Sequence, residues 1–219
     1  MKQVITLGTL ATALVTGTSF AAATTELKVS GVIKPAACAP TIAGGGTLDY
    51  GNIPTALLKK KEPTQLAPKE VPFSFSCEAA VKVALRFTDN RAATKVSGLA
   101  SVLDANTSES TMMGSGNVDG KNIGAYAVAL KQGSFTADGV AVDTLNSPDQ
   151  GKTWKKGVKG HFHTDAWLTW GATGTKIPVA VKTVSGVLSL TPVIDKSDNL
   201  PLSSDVKIDG SGTIEVMYL

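Results

Sequence analysis

The last fourteen residues, VKIDGSGTIEVMYL, constrain this chain most: Val206, Ile208, Gly210, Gly212, Ile214, Val216 and Tyr218 fall on even positions, and most odd positions are polar. A period of two marks a half-buried β-strand, because successive side chains point to opposite faces. Chain ends ordinarily fray, since a few terminal residues bury too little surface to offset the entropy of ordering them. A strand running almost to the last residue therefore predicts a terminus held by packing. With two glycines ahead of it and Tyr218 behind, it offers an end that a partner chain can grip, which points to assembly rather than catalysis.

The opposite end reads as an export signal. Met1 and Lys2 form a positive n-region, residues 4–15 are mostly apolar, and small residues follow at 19–23, with Ala21 and Ala23 meeting the A-x-A preference of a signal peptidase. The expectation is a signal peptide over residues 1–23, cleaved after Ala23. Its apolar run is shorter than the ~20 residues of a membrane span and is interrupted by Gly and Thr. No membrane span is expected in the mature chain.

Export bears on the two cysteines, Cys38 and Cys77. An even count in an oxidising compartment predicts a bridge between them, worth about 4 kcal/mol on the chain-entropy model. No CxxC occurs and no His lies near either Cys in sequence, so a redox or metal role for the thiols is not expected.

Turn signals recur about every ten residues: Gly44 to Gly46, Asp89-Asn90, Asp119-Gly120, Asp138-Gly139, Gly171 to Gly174 and Asp209-Gly210. Between them lie alternating segments. Leu27, Val29, Gly31 and Ile33 share a face in a first strand. Val71, Phe73, Phe75 and Cys77 share one in a second, and Val81, Val83, Leu85 and Phe87 in a third, with a short turn at 78–80 making these two a hairpin. Later strands are expected at 123–130, 140–145, 166–170, 177–184 and 187–193. Strands at this spacing without helices between them predict an all-β sandwich in a single domain over residues 24–219. Residues 92–121, rich in Ser, Gly, Thr and Asn, read as long loops. The formal charge of +3 falls by one when Lys2 leaves with the leader, too little for nucleic acid without a clustered patch. Lys59 to Lys61 is the only cluster, and Glu62-Pro63 after it marks a solvated loop.

Five segments in order, LKVSGVIKPAACAP (27–40), LDYGNIPTALL (48–58), PFSFSCEAAVKVALRFTDN (72–90), NIGAYAVALKQGSFTADGVAV (122–142) and GTIEVMYL (212–219), resemble a chaperone–usher fimbrial (pilin) subunit. Within that family the chain is most similar to the fimbrial-like proteins of domain of unknown function 1120. The resemblance implies an incomplete immunoglobulin-like β-sandwich, the pilin fold, with long loop inserts and a disulfide joining its A-strand to its B-strand. It implies a groove beside the C-terminal strand, filled first by a periplasmic chaperone and then, at the outer-membrane usher, by the N-terminal extension of the next fimbrial subunit, a polymerisation by β-augmentation. Ile214, Val216 and Tyr218 would line that groove, and Leu27 and Val29, within residues 24–30, would be the donor strand. The protein would travel through the periplasm to the bacterial surface and serve in cell adhesion.

The donor segment departs from the family pattern, since only seven residues separate Ala23 from Gly31. A short donor, earlier cleavage and a subunit that does not donate all fit. The last would sit at the tip as an adhesin, with 92–121 and 146–174 as binding loops and Trp154 and Trp167 as contacts for a host glycan. His161, His163 and Asp165 share one face if their segment is a strand, a set that could hold a metal in a secreted metal-dependent enzyme. An HxH on a strand is more often a solvated face, and two histidines leave little for acid–base work. No catalysis, cofactor or metal is expected.

Overall fold

The computed structural model describes residues 23–33, 37–105 and 107–219, and residues 35–219 make one compact unit. The expected signal peptide lies outside the described residues except for Ala23, the first of them. Nine strands carry the fold: β1 (Cys38–Ile42), β2 (Lys69–Val81), β3 (Val83–Asp89), β4 (Gly124–Leu130), β5 (Thr136–Ala137), β6 (Val140–Ser147), β7 (Trp167–Ala172), β8 (Val181–Ile194) and β9 (Gly212–Tyr218). The pairing is antiparallel throughout and runs β1-β2-β8-β5-β6-β7-β3-β9, with β4 beside the C-terminal half of β8. One layer holds β1, β2, β8 and β4, the other β6, β7, β3 and β9. The fold is the expected all-β one.

Alternation explains the layers. In β2, Phe73, Phe75 and Cys77 point inward and are at most 3% exposed, while Ser74 and Ser76 between them are solvated. Val83, Leu85 and Phe87 of β3, Leu168 and Trp170 of β7, and Tyr126, Val128 and Leu130 of β4 meet them in a single apolar cluster. Aromatic rings tie the layers at tilted angles: Phe75 lies 6.2 Å and Phe135 5.8 Å from Trp170. Cys38 stands directly opposite Cys77 in the β1–β2 register, and the two are disulfide-bonded.

Several expectations need correction. The first strand starts at Cys38; residues 27–33 have no regular structure, and Leu27, Val29 and Ile33 are almost fully exposed. An isolated alternating segment gains no ladder hydrogen bonds until another edge meets it. The hairpin between β2 and β3 does not form either. The chain breaks at Lys82 and crosses to the other layer, where β3 pairs with β7 and β9. The two strands expected at 177–184 and 187–193 are one, β8, which runs unbroken through Ser185-Gly186. Gly186 is there for packing: a Cβ on it would stand 2.5 Å from the ring of Phe135. In the terminal segment, residues 206–211 are irregular and only β9 is strand.

Two of the three Asp-Gly pairs make turns where expected, and Asp209-Gly210 lies in irregular chain. Asp119 and Gly120, and Asp138 and Gly139, all have positive φ, the backbone of the two-residue hairpin whose twist matches its strands. Residues 92–121 are less free than their composition suggests. Leu99, Ala100 and Met112 pack on Ala125, Ala127 and Val193, covering the outer face of β4. That is why β4 reads GAYAVAL and is buried at every residue: large side chains point into the sandwich, and alanines leave room for the cover.

Candidate functional site

An open cleft of about 980 Å³ lies between the layers. Its apolar lining includes Ile42 from β1, Val71 from β2, Phe87 from β3, Val128 from β4, Leu188 from β8 and Ile214 from β9. Ile42 and Ile214 belong to the two strands that end the pairing order. β1 pairs only with β2, and β9 only with β3, so among the described residues neither has a strand on its other edge. The cleft is thus an open seam between the two strands that end the pairing order, neither of which pairs with a second strand among the described residues.

Two segments frame its mouth. On one side, residues 46–53 are held by Tyr50, whose hydroxyl donates to the Leu190 carbonyl at 2.9 Å and whose ring lies 4.9 Å from the Lys69 ammonium. Burial pushes the Tyr50 phenol up from its ordinary value. On the other, residues 204–212 cross toward β9. Asp209 donates its N–H to the Ser115 carbonyl at 2.8 Å, and its carboxylate pairs with Arg91 at 2.6 Å. Gly210 rests on the ring of Tyr126 and Gly212 on that of Phe87, where a Cβ would stand 2.7 and 2.0 Å from the nearest ring atoms. Tyr126 is itself 6% exposed, and burial, with the Asp89 charge second, pushes its phenol well up.

Of the residues expected at the groove, Ile214 lines the cleft. Val216 faces the same interior and packs on the core beyond it, while Tyr218 is half exposed at the end of the strand. Glu215, on the other face, pairs with Arg86 at 2.8 Å. Leu27 and Val29 stand in solvent.

The aromatic and histidine residues of 154–170 do not converge on the cleft. Trp154 is half buried, and the half-buried ring of Trp167 lies against Gly151 on the outer face of its layer, beside Leu219. Phe162 is fully buried 5.5 Å from Phe87, which turns His161 and His163 outward. His163 Nδ1 sits 3.2 Å from Ser110 Oγ and 3.3 Å from Thr111 Oγ1, tying this segment to the cover over β4. Burial lowers the pKa of both histidines. Among the described residues no group of three His, Cys, Asp or Glu is placed to hold a metal ion. No helix among them is long and apolar enough to cross a membrane.

Sequence reasoning passed over Ile42, Phe87, Tyr126 and Leu188 as cleft residues, because they come together only through long-range pairing. One signal was available. Two glycines two apart at the head of a terminal strand are what two rings pressed against the backbone require.

Residues 27–127 match the family described as Protein of unknown function (DUF1120). The chain is 29% identical to Protein GltF of Escherichia coli (strain K12), over 89% of this chain and 88% of that protein. It is 23% identical to Uncharacterized protein YhcF of the same organism, over 94% of this chain and 98% of that one. These matches bear out the likeness to the proteins of domain of unknown function 1120.

Proposed function

From the premise that this is a DUF1120 protein, we propose that it is a structural subunit of a bacterial surface fimbria, assembled by chaperone–usher donor-strand complementation and serving in cell adhesion. The observation that carries the reading is the open seam: an apolar cleft between two layers, bounded by β1 and β9, each paired with one strand among the described residues. A sandwich left open along a seam exposes both apolar surface and unpaired backbone, the features that a supplied strand removes. A periplasmic chaperone would supply that strand first, and a neighbouring subunit would replace it at an outer-membrane usher. Leu27 and Val29 lie in an exposed extended segment and would be what this subunit passes on. The role is not enzymatic and calls for no cofactor, and the protein would reach the cell surface through the periplasm.

The test is expression in the periplasm. Alone, the chain should aggregate or be degraded. Co-expressed with a cognate periplasmic chaperone, it should be recovered as a soluble one-to-one complex. A stable, cooperatively unfolding monomer that takes up no strand would overturn the reading.

A further inference from the structure

The cleft is apolar along most of its length and polar at one place. Ser115, 0% exposed, is among its lining residues, at the end where 209–212 crosses. Its carbonyl is used, by the Asp209 N–H, but its hydroxyl is fully buried and has no hydrogen-bond partner. Its neighbours explain why none is near. Gly114 before it is bound into the ladder beside β4 and donates to Asp89, and Gly116 after it packs against Asp209. A buried hydroxyl left unpaired costs about 1–3 kcal/mol, so such groups in folded proteins nearly always have partners. Here the missing partner can arrive with whatever fills the cleft.

We infer that Ser115 is a specificity residue of the seam: the strand that fills it brings a hydroxyl-bearing side chain to hydrogen-bond Ser115 Oγ, which sets the register of the apolar side chains behind it. The inference rests on the strand-accepting reading above. The occupant is the segment 24–33 of a second copy of this chain. Leu27, Val29 and Ile33 in it fall on odd positions and are exposed, as the inward row of an inserting strand needs, and Thr25 on the same row supplies a hydroxyl. Ten residues extend to about 33 Å, enough to run beside the seven of β9, which span about 24 Å. A single polar contact in an apolar seam matters because a strand slipped by one residue would turn its apolar row outward, and slipped by two would leave Ser115 unpaired.

The probe is a fluorescent synthetic peptide of residues 24–33, present while the full chain refolds from denaturant, with its release timed after excess unlabelled peptide is added. Ser115→Ala should release it about three- to tenfold faster, the value of one hydrogen bond. Far-ultraviolet circular dichroism of the peptide-bound chain should be the same for Ser115→Ala and wild type, which separates faster release from a fold that fails to form. A peptide with Thr25→Val identifies the partner: it should release faster from the wild-type chain and no faster from Ser115→Ala, whereas Thr24→Val and Ser30→Ala, on the opposite face, should release like the unchanged peptide. Ser115→Thr, which keeps the hydroxyl, should hold the peptide better than Ser115→Ala. Equal release from wild type and Ser115→Ala, or no coupled peptide hydroxyl, would overturn the role of Ser115 while leaving strand acceptance standing. Failure of the wild-type chain to retain any peptide would remove strand acceptance itself, and this inference with it.

Discussion

Gly212 lies flat against the ring of Phe87, so close that a β-carbon at 212 would stand 2.0 Å from Cζ. The contact places the first residue of the terminal strand on the wall of the cleft. Gly212→Ala must push either the ring or the strand aside, and overpacking of this kind costs about 1–3 kcal/mol. Denaturant unfolding of the strand-complemented protein should show that loss. Ser211→Ala, one residue away, loses only the hydrogen bond its hydroxyl accepts from Asn90 at 3.1 Å and should cost less.

The disulfide gives a second prediction. Cys38 and Cys77 are cross-strand neighbours whose bond closes a separation of 39 residues. Replacing both with Ser should cost about 4 kcal/mol by loop-closure entropy. The double substitution should sharply lower periplasmic yield, and thiol titration of the denatured, unreduced wild type should find no free thiol.

Parity along β9 gives a third. Ile214 lines the cleft and Met217 points the other way. Ile214→Ser should weaken capture by a periplasmic chaperone about tenfold, the value of partly burying one aliphatic side chain. Met217→Ser should do much less. Tyr218, half exposed in the free chain, reports on the partner: if the incoming strand covers its ring, Tyr218→Ala will match Ile214→Ser in the same pull-down. Equal losses from Ile214→Ser and Met217→Ser would mean that this face of β9 is not the one recognised.

Acid stability provides a fourth. The Asp149 carboxylate accepts hydrogen bonds from the Thr153 hydroxyl and N–H and from the Ser147 hydroxyl, which hold its pKa at about 2 against an ordinary 3.8. A carboxylate whose pKa is depressed on folding contributes stability that is complete above its unfolded value and is lost as pH falls through the folded one. The contribution should therefore fade between about pH 4 and pH 2. In Asp149→Asn, the melting temperature should fall less steeply across that window than in wild type. Parallel curves would assign acid sensitivity to other carboxylates.

Much of the sandwich was legible because alternation is a local property. The inward rows of β2 and β3 could be read directly, as could the Asp119-Gly120 and Asp138-Gly139 hairpins. What stayed hidden was long-range. Glu78-Ala79-Ala80 looks like a turn between two strands of one parity, and nothing local says that the chain passes from one layer to the other. Ser185-Gly186 looks like a break until Phe135 is seen above the glycine. The alanines of β4 carry no sign of the cover at 99–112, which folds onto them from a segment of loop-like composition. The cleft itself was expected beside the terminal strand through resemblance alone, since Ile42, Phe87, Leu188 and Ile214 meet only when five strands are in place.

The fourteen-residue β8 is the spine of its layer: β2 lies along one edge, and β4 and β5 share the other. It is also late in the chain. β1 and β2 can pair, and Cys38 can find Cys77, once about the first eighty residues have emerged. β4 has no edge to join until residue 194 follows it. The layer is therefore completed from its middle, and last, so β2 waits with an open edge while more than half of the chain has yet to appear, and β4 while about two-fifths has. A chain built in this order is most exposed to misassembly during emergence rather than after folding, and a helper that acts on it gains most by meeting the chain as it arrives.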